Sequence, residues 1–173
     1  MRIVKLGLIS VVFLFLVVTA ISLLLPSSII ISRAVDINAD ITTVYPKVAD
    51  LSNWKSWYAN SDTASFILSS RTAGKGAVLT LDKSTITFAE VDEKKIKAYW
   101  STGAGTQMPG EFNFITAEGI EASHITVQWQ IIHTVQWYPW EKFASIVADK
   151  SIGSFMEKSL DKLKAISEGQ AGE

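Results

Sequence analysis

Residues 138–166 read YPWEKFASIVADKSIGSFMEKSLDKLKAI, and this stretch decides the fold that the sequence predicts. Its apolar residues recur at steps near three and four, as those of one face of an α-helix do. They are Phe143, Ile146, Val147, Ile152, Phe155, Met156, Leu160, Leu163 and Ile166. An apolar helix face must be buried, and the preceding hundred residues show strand patterns without a second helix of this length. The sequence therefore predicts one long helix lying in the concave face of a curved antiparallel sheet.

A glycine interrupts this helical pattern. Ser154 followed by Glu157 fits the capping box that begins many helices, and Gly153 comes directly before it. We therefore expect Gly153 to separate a short helix, residues 140–151, from the main one.

The chain before the helix alternates between apolar and polar residues, as a sheet covered on one face requires. With a first strand at 29–38 and short strands at 65–69 and 77–82, we expect seven antiparallel strands. Two short helical segments, 41–49 and a turn from Ser52, join the first strand to the others and place Trp54 and Trp57 on one side. The predicted fold class is α+β. The residues expected on the inner face are Ile86, Phe88, Ile96, Ala98, Trp100, Phe112, Phe114, Ile125, Val127, Trp129 and Ile131.

The N-terminal segment is unlike the rest of the chain. Residues 6–32 carry no charge, and their centre, LGLISVVFLFLVVTAISLLL, has the length of about 20 residues that crosses a bilayer. A single membrane span is the leading interpretation, and a signal peptide cleaved after Ala20 is the alternative. Arg2 and Lys5 precede the span, so the positive-inside rule predicts a cytoplasmic N-terminus and an exported domain, periplasmic or extracellular. We expect an anchor at 1–28, a folded domain at 29–168 and a disordered tail at 169–173.

Composition argues against several classes of function. The chain has 16 basic and 17 acidic residues and no basic run, so we expect no nucleic-acid partner. It has no cysteine, which removes disulfides and thiolate sites. His124 and His133 lie nine residues apart on one strand and point to opposite faces, so we expect no metal site. The motif Gly103-Ala104-Gly105 has no phosphate-loop lysine, and we expect no cofactor.

Two residues are candidates for an acid–base group. Glu90 continues the parity of Ile86 and Phe88, so we expect it to point inward, where burial would raise its pKa. His133 shares the parity of the core residues and is expected at the mouth of a cavity. The simpler alternatives are a solvated glutamate at a strand end and a structural histidine bonded to backbone or water. No catalytic residue is therefore assigned.

The order of elements resembles a known superfamily. The opening VDINADITTVYPKVADLSNWKSW, the turn GKGAVLTL, the hairpin ITFAEVDEKKIKAYW and the closing helix are similar to the START-like superfamily of helix-grip proteins. This superfamily is also called the polyketide cyclase/dehydrase and lipid transport family, and the likeness is to its membrane-anchored bacterial members. It extends over residues 35–166. Members range from ligand carriers to enzymes, so a site must decide the function.

The resemblance implies a cavity between sheet and helix that takes apolar ligands. The expected partner is a hydrophobic small molecule or lipid, bound without catalysis, and the aromatic run 137–140 is the expected doorway. The alternatives are a polyketide cyclase or dehydratase that uses Glu90 or His133, and an interaction module whose cavity is filled by its own side chains. The expected ligand-binding residues are Trp54, Trp57, Phe88, Trp100, Phe112, Phe114, Trp129 and Phe155.

Overall fold

The computed structural model describes residues 2–59, 61, 64–103, 105, 107–116, 124–136 and 138–169. These residues form seven strands and three α-helices. The predicted α+β class, with a curved seven-stranded antiparallel sheet and a long C-terminal helix, is confirmed. The strand order is β1-β7-β6-β5-β4-β3-β2. The elements are α1 (Arg2–Leu23), β1 (Ser28–Ile37), α2 (Ile41–Ala49), a 3₁₀ helix (Leu51–Ser56), β2 (Phe66–Leu68), β3 (Val78–Leu81), β4 (Ser84–Asp92), β5 (Lys95–Ser101), β6 (Gln107–Thr116), β7 (Ile125–Thr134) and α3 (Pro139–Ser167).

Helix α3 buries only part of its predicted apolar face. Met156, Leu160 and Leu163 are buried in the core, as the spacing predicts. Phe143 and Val147 are instead exposed, so the prediction that the whole face is buried is wrong for the first turns. The reason is helical geometry, because α3 is one continuous helix and at 100° per residue Phe143 and Val147 lie about 140° and 180° around the axis from Met156.

Helix α3 is also unbroken at Gly153, where the sequence predicts a separation. The glycine has a packing role instead of a terminating one, since it lies against the side chain of Arg33 from β1. Glu157 does not cap a helix but accepts a hydrogen bond from Arg33 Nε at 2.6 Å. The capping-box interpretation is therefore wrong.

The two short helices are held together by their tryptophans. Val44 and Val48 face the core. The indole N–H of Trp54 donates to the carbonyl of Val48 at 2.9 Å, and that of Trp57 donates to the carbonyl of Lys47 at 2.9 Å. Carbonyl groups at the end of α2, which lack helical partners, are thereby satisfied.

The N-terminal helix is tied to the start of α3. Helix α1 is long and apolar enough to cross a membrane, and a secretion signal would share these properties. Just after it, the carbonyl of Leu25 and the hydroxyl of Ser27 both accept hydrogen bonds from Lys142 Nζ at 2.9 Å. Lys142 is buried at this joint. The C-terminal end of α1 and the first turns of α3 are therefore neighbours.

Candidate functional site

Seven of the eight predicted ligand-binding residues meet between the sheet and α3. Ring centroids of neighbours within this group are 4.9–6.2 Å apart. We call the group, with Tyr58 added, the aromatic core. The eighth residue, Phe114, belongs to the same hydrophobic core, and its ring packs on Tyr45 of α2 at 5.2 Å. The aromatic core consists of Trp54, Trp57, Tyr58, Phe88, Trp100, Phe112, Trp129 and Phe155.

Tyr58 belongs to the centre of this group, although the sequence analysis did not single it out. Its ring stacks on Trp54 at 5.0 Å and meets Phe155 edge-on, also at 5.0 Å. The signal was its position directly after the Trp54 and Trp57 pair, at the end of a helical turn. Tyr58 is in contact with both the short helices and α3. The aromatic core therefore fills the space between sheet and helix, where the resemblance implies a cavity.

Two indole N–H groups inside the aromatic core differ in whether they have a hydrogen-bond acceptor. The indole N–H of Trp100 donates to the Tyr58 hydroxyl at 3.2 Å. Burial raises the pKa of Tyr58 far above its ordinary value, so the phenol stays neutral and can act as that acceptor. The indole N–H of Trp129 is buried and has no hydrogen-bond partner among the described residues. An unpaired buried donor of this kind costs about 1–3 kcal/mol.

Glu90 lies on the outer face, so the expectation that it points inward is wrong. The pairing of β4 with β5 shifts between Phe88 and Glu90, which leaves Ala89 as a bulge. Beyond the bulge Glu90 pairs with Lys97, and the two side chains form an exposed salt bridge at 2.5 Å. The hydrogen bond from Lys97 lowers the pKa of Glu90, the opposite of the shift expected inside a core.

His133 lies at a pocket of about 350 Å³ between the end of β7 and the first half of α3, which we call the β7–α3 pocket. Small side chains on α3 leave this space open, since Ala144 and Ala148 are one turn apart on the helix. The chain enters the helix through a turn in which the amide of Gln136 donates to Glu141 Oε2 at 2.9 Å. The lining residues are His133, Thr134, Val135, Gln136, Glu141, Ala144 and Ala148.

The chemistry of the β7–α3 pocket is mixed. His133 Nδ1 is buried and finds no hydrogen-bond partner among the described residues, and Glu141 adds a carboxylate. The two alanines and Val135 supply apolar wall. Parity in β7 identified His133, but no signal in the sequence marked Glu141, Ala144 or Ala148.

The predicted doorway, residues 137–140, is described only in part. Trp137 lies outside the described residues, while Tyr138 and Trp140 stack with their centroids 5.0 Å apart. His124 Nδ1 is 2.9 Å from Asn38 Oδ1 at the far end of β7 from His133. Within the described ranges, no three histidine or carboxylate side chains gather closely enough to hold an ion.

Comparison with known proteins supports the fold. No family model and no curated protein matches the sequence. Among solved structures, CalU16 from Micromonospora echinospora is 16% identical, with a TM-score of 0.57 over 84% of this chain and 76% of that one. KanY is 15% identical, with a TM-score of 0.64 over 83% of this chain and 100% of that one. The Aha1 dimer structure from Colwellia psychrerythraea is 14% identical, with a TM-score of 0.55 over 83% of this chain and 99% of that one. The chain therefore has a helix-grip-like fold.

Proposed function

We propose that this chain is a membrane-anchored START-like protein that binds a hydrophobic small molecule or lipid in the β7–α3 pocket, without catalysis. The observation that carries the proposal is the pocket itself, in which small apolar side chains form part of the wall and His133 Nδ1 is buried without a hydrogen-bond partner among the described residues. Such a pocket suits a ligand with an apolar body and one polar group. Its volume of about 350 Å³ lies near the lower end of ordinary ligand sites.

The binding energy would come mainly from apolar surface. Burial is worth about 25 cal/mol per Å² of apolar area, so even a short acyl or aromatic group gains several kilocalories per mole. A hydrogen bond to His133 Nδ1 would fix the orientation, because it satisfies an atom that otherwise lacks a partner among the described residues. The aromatic core, which contributes no lining residue to this pocket, is then not the site.

The location of the pocket fits a ligand that comes from a bilayer. Val135, on the pocket wall, donates its amide to the carbonyl of Ser27 at 2.8 Å, at the joint that follows α1. If α1 spans the membrane with its N-terminus in the cytoplasm, the exported domain carries this pocket close to the bilayer surface. A lipid would then need to travel only a short distance to enter it.

Two alternatives each have one observation in their favour. The filled aromatic core favours an interaction module, because it occupies space that an apolar ligand would need. The presence of both His133 and Glu141 in the pocket lining favours a cyclase-type enzyme with His133 as the acid–base group, since Glu90 lies outside the core.

Native mass spectrometry of the full chain, released from nanodiscs made with its host's lipids, tests the proposal. We expect a bound lipid or small molecule on the natural chain and its loss in Ala148→Trp, which fills the pocket. Lys158→Trp is the matched control, because it adds the same side chain at an exposed position farther along α3. An apo mass for the natural chain, or equal ligand retention in both variants, would contradict binding in this pocket.

A further inference from the structure

The first turns of α3 carry an apolar stripe on their outer surface. Trp140, Phe143 and Val147 are spaced by three and four residues and therefore lie on one side of the helix. Their exposed fractions are 63%, 42% and 64%. Tyr138 stacks on Trp140 with an interplanar angle of 7° and extends this side of the helix start with a second aromatic ring. Side chains of this size at this spacing would ordinarily be covered.

The position of the stripe identifies what covers it. Lys142, in the same helical turns, reaches the carbonyl of Leu25 directly after α1 and is buried there. Leu23 and Leu24, at the end of α1, are 65% and 86% exposed. The exposed apolar residues of α1 and those of the first turns of α3 therefore lie at the same end of the domain. A partner for the stripe must also accommodate the end of an apolar helix.

A bilayer meets both conditions. Helix α1 is about 33 Å long at 1.5 Å per residue, which matches a hydrocarbon core of about 30 Å. The end of α1, and with it the start of α3, would then lie at the level of the lipid headgroups. Tryptophan and tyrosine are enriched at this depth, because their rings are apolar and their N–H or O–H groups reach water. An amphipathic helix that lies in the interface buries an apolar stripe in the same way.

We propose that the first turns of α3 lie in the bilayer interface with Trp140, Phe143 and Val147 inserted among the lipids. The inference rests on α1 spanning the membrane, as in the proposed function. Ala144 and Ala148 of the β7–α3 pocket follow Phe143 and Val147 directly in the chain. Docking would therefore bring one wall of the pocket to the lipid surface, and the domain would be fixed in orientation and not free to tumble on its anchor.

The chain contains no cysteine, so one introduced cysteine can be labelled at a chosen position. We would attach a nitroxide to Val147→Cys in the full chain, reconstituted in phosphatidylcholine and phosphatidylglycerol vesicles. Its collision rates with oxygen, which concentrates in lipid, and with a water-soluble nickel chelate report its depth. Lys158→Cys, exposed on the same helix, is the matched control, and Val12→Cys in α1 tests the premise.

We expect the nickel collision rate at residue 147 to be several-fold lower than at residue 158, and oxygen to be favoured at residues 12 and 147. Equal nickel rates at 147 and 158, with residue 12 shielded, would overturn the docking inference and leave the span intact. Access of nickel to residue 12 would overturn the span and the docking together. Shielding at 147 that disappears on dilution with excess lipid would show contact with a second copy of the chain and overturn docking to lipid.

Discussion

The guanidinium of Arg33 lies against the Cα of Gly153, with Asp149 one helical turn before it and Glu157 one turn after it. Arg33 Nε is 2.6 Å from Glu157 Oε1, and Arg33 Nη1 is 3.5 Å from Asp149 Oδ1. Any side chain at position 153 would take this space, since its Cβ would lie 2.6 Å from Arg33 Cζ. Arg33 therefore fits on the inner side of β1 because α3 carries no side chain at position 153.

Gly153→Ala tests this relationship through a double-mutant cycle with Arg33→Ala. Alanine normally stabilises a helix by about 1 kcal/mol relative to glycine. In the natural chain we expect no gain in the free energy of unfolding, because the new methyl group displaces the guanidinium from both carboxylates. In the Arg33→Ala background the gain of about 1 kcal/mol should return. Thermal unfolding of the detergent-solubilised full chain gives both values, and equal effects in the two backgrounds would show that Arg33 and Gly153 are not coupled.

Gly110→Ala should destabilise the sheet. A Cβ at this position in β6 would lie 2.5 Å from the carbonyl oxygen of Gln130 and 2.8 Å from the ring of Trp100. Neither the β7 backbone nor a packed indole can move without disturbing the core, so we expect a loss of about 1–3 kcal/mol, typical of overpacking. Gly103→Ala is the matched control, because its Cβ would meet Lys83 at 3.4 Å, an ordinary contact distance. The two variants should differ in denaturant midpoint, and a normal midpoint for Gly110→Ala would contradict the packing of Trp100 described above.

Tyr58→Phe should destabilise the aromatic core although it removes a single oxygen atom. The indole N–H of Trp100 would lose its acceptor at 3.2 Å inside a buried cluster, at a cost of about 1–3 kcal/mol. Tyr99→Phe, on the exposed side of β5, provides the control, and we expect little change there. Chemical denaturation monitored by near-ultraviolet circular dichroism checks the difference. Equal stabilities would indicate that the Trp100 N–H finds another acceptor.

Sequence patterns predicted the sheet better than they predicted the site, for physical reasons. Period-two alternation identifies inner residues such as Trp100 and Trp129 because one face of the sheet is covered. It failed at Glu90, since a bulge at Ala89 changes the parity and nothing in the alternation encodes that extra residue. Periodicity marked the apolar residues of α3, but the expected break at Gly153 hid the fact that Phe143 and Val147 lie on another side of one continuous helix from Met156.

Glycine and alanine positions were harder still to interpret. The sequence pattern indicated a helix boundary at Gly153. The glycine instead leaves room for the side chain of Arg33, which lies 120 residues earlier in the chain, and no local pattern encodes that contact. The β7–α3 pocket exists partly because Ala144 and Ala148 are small, and small residues carry no pattern of their own. Seven of the eight aromatic residues that were expected to bind a ligand do meet in the interior, but whether they leave a cavity depends on how rings such as Tyr58 interleave.

Asp50 should make stability depend on pH. Burial alone would raise the pKa of Asp50, but hydrogen bonds from the hydroxyl and amide of Ser52, with a further one from Thr72, bring it below the ordinary value of 3.8. A carboxyl group with a lowered pKa in the folded state stabilises above its unfolded pKa, and this contribution is lost as the pH falls through the folded value. Asp50→Ala should therefore cost about 1 kcal/mol at pH 7, as the loss of a helix cap does, and less below pH 3.8.

Asp40→Ala is the control for that experiment. Asp40 precedes α2 in the equivalent capping position, but its side chain makes no capping hydrogen bond. We expect its removal to change the free energy of unfolding less than the removal of Asp50 does at pH 7. A larger loss for Asp40→Ala, or a cost of Asp50→Ala that grows on acidification, would contradict the assignment of the cap to Asp50.

Phe155→Ala should open the interior that the natural chain keeps filled. Its ring lies 5.0 Å from Tyr58 and 6.1 Å from Trp129, so its removal would leave a space beside Trp129, whose buried indole N–H has no partner among the described residues. Because Phe155 is only partly buried, we expect a loss of roughly 2–3 kcal/mol, below the 3–5 kcal/mol of a fully buried phenylalanine. Benzyl alcohol has a ring to fill the space and an oxygen to accept from Trp129, so it should raise the melting temperature of Phe155→Ala. It should raise that of neither the natural chain nor Val147→Ala, which removes an exposed apolar side chain from the same helix. An equal rise in melting temperature in all three proteins would mean that the interior already has room for a ligand. The aromatic core would then be a better candidate for the binding site than the β7–α3 pocket.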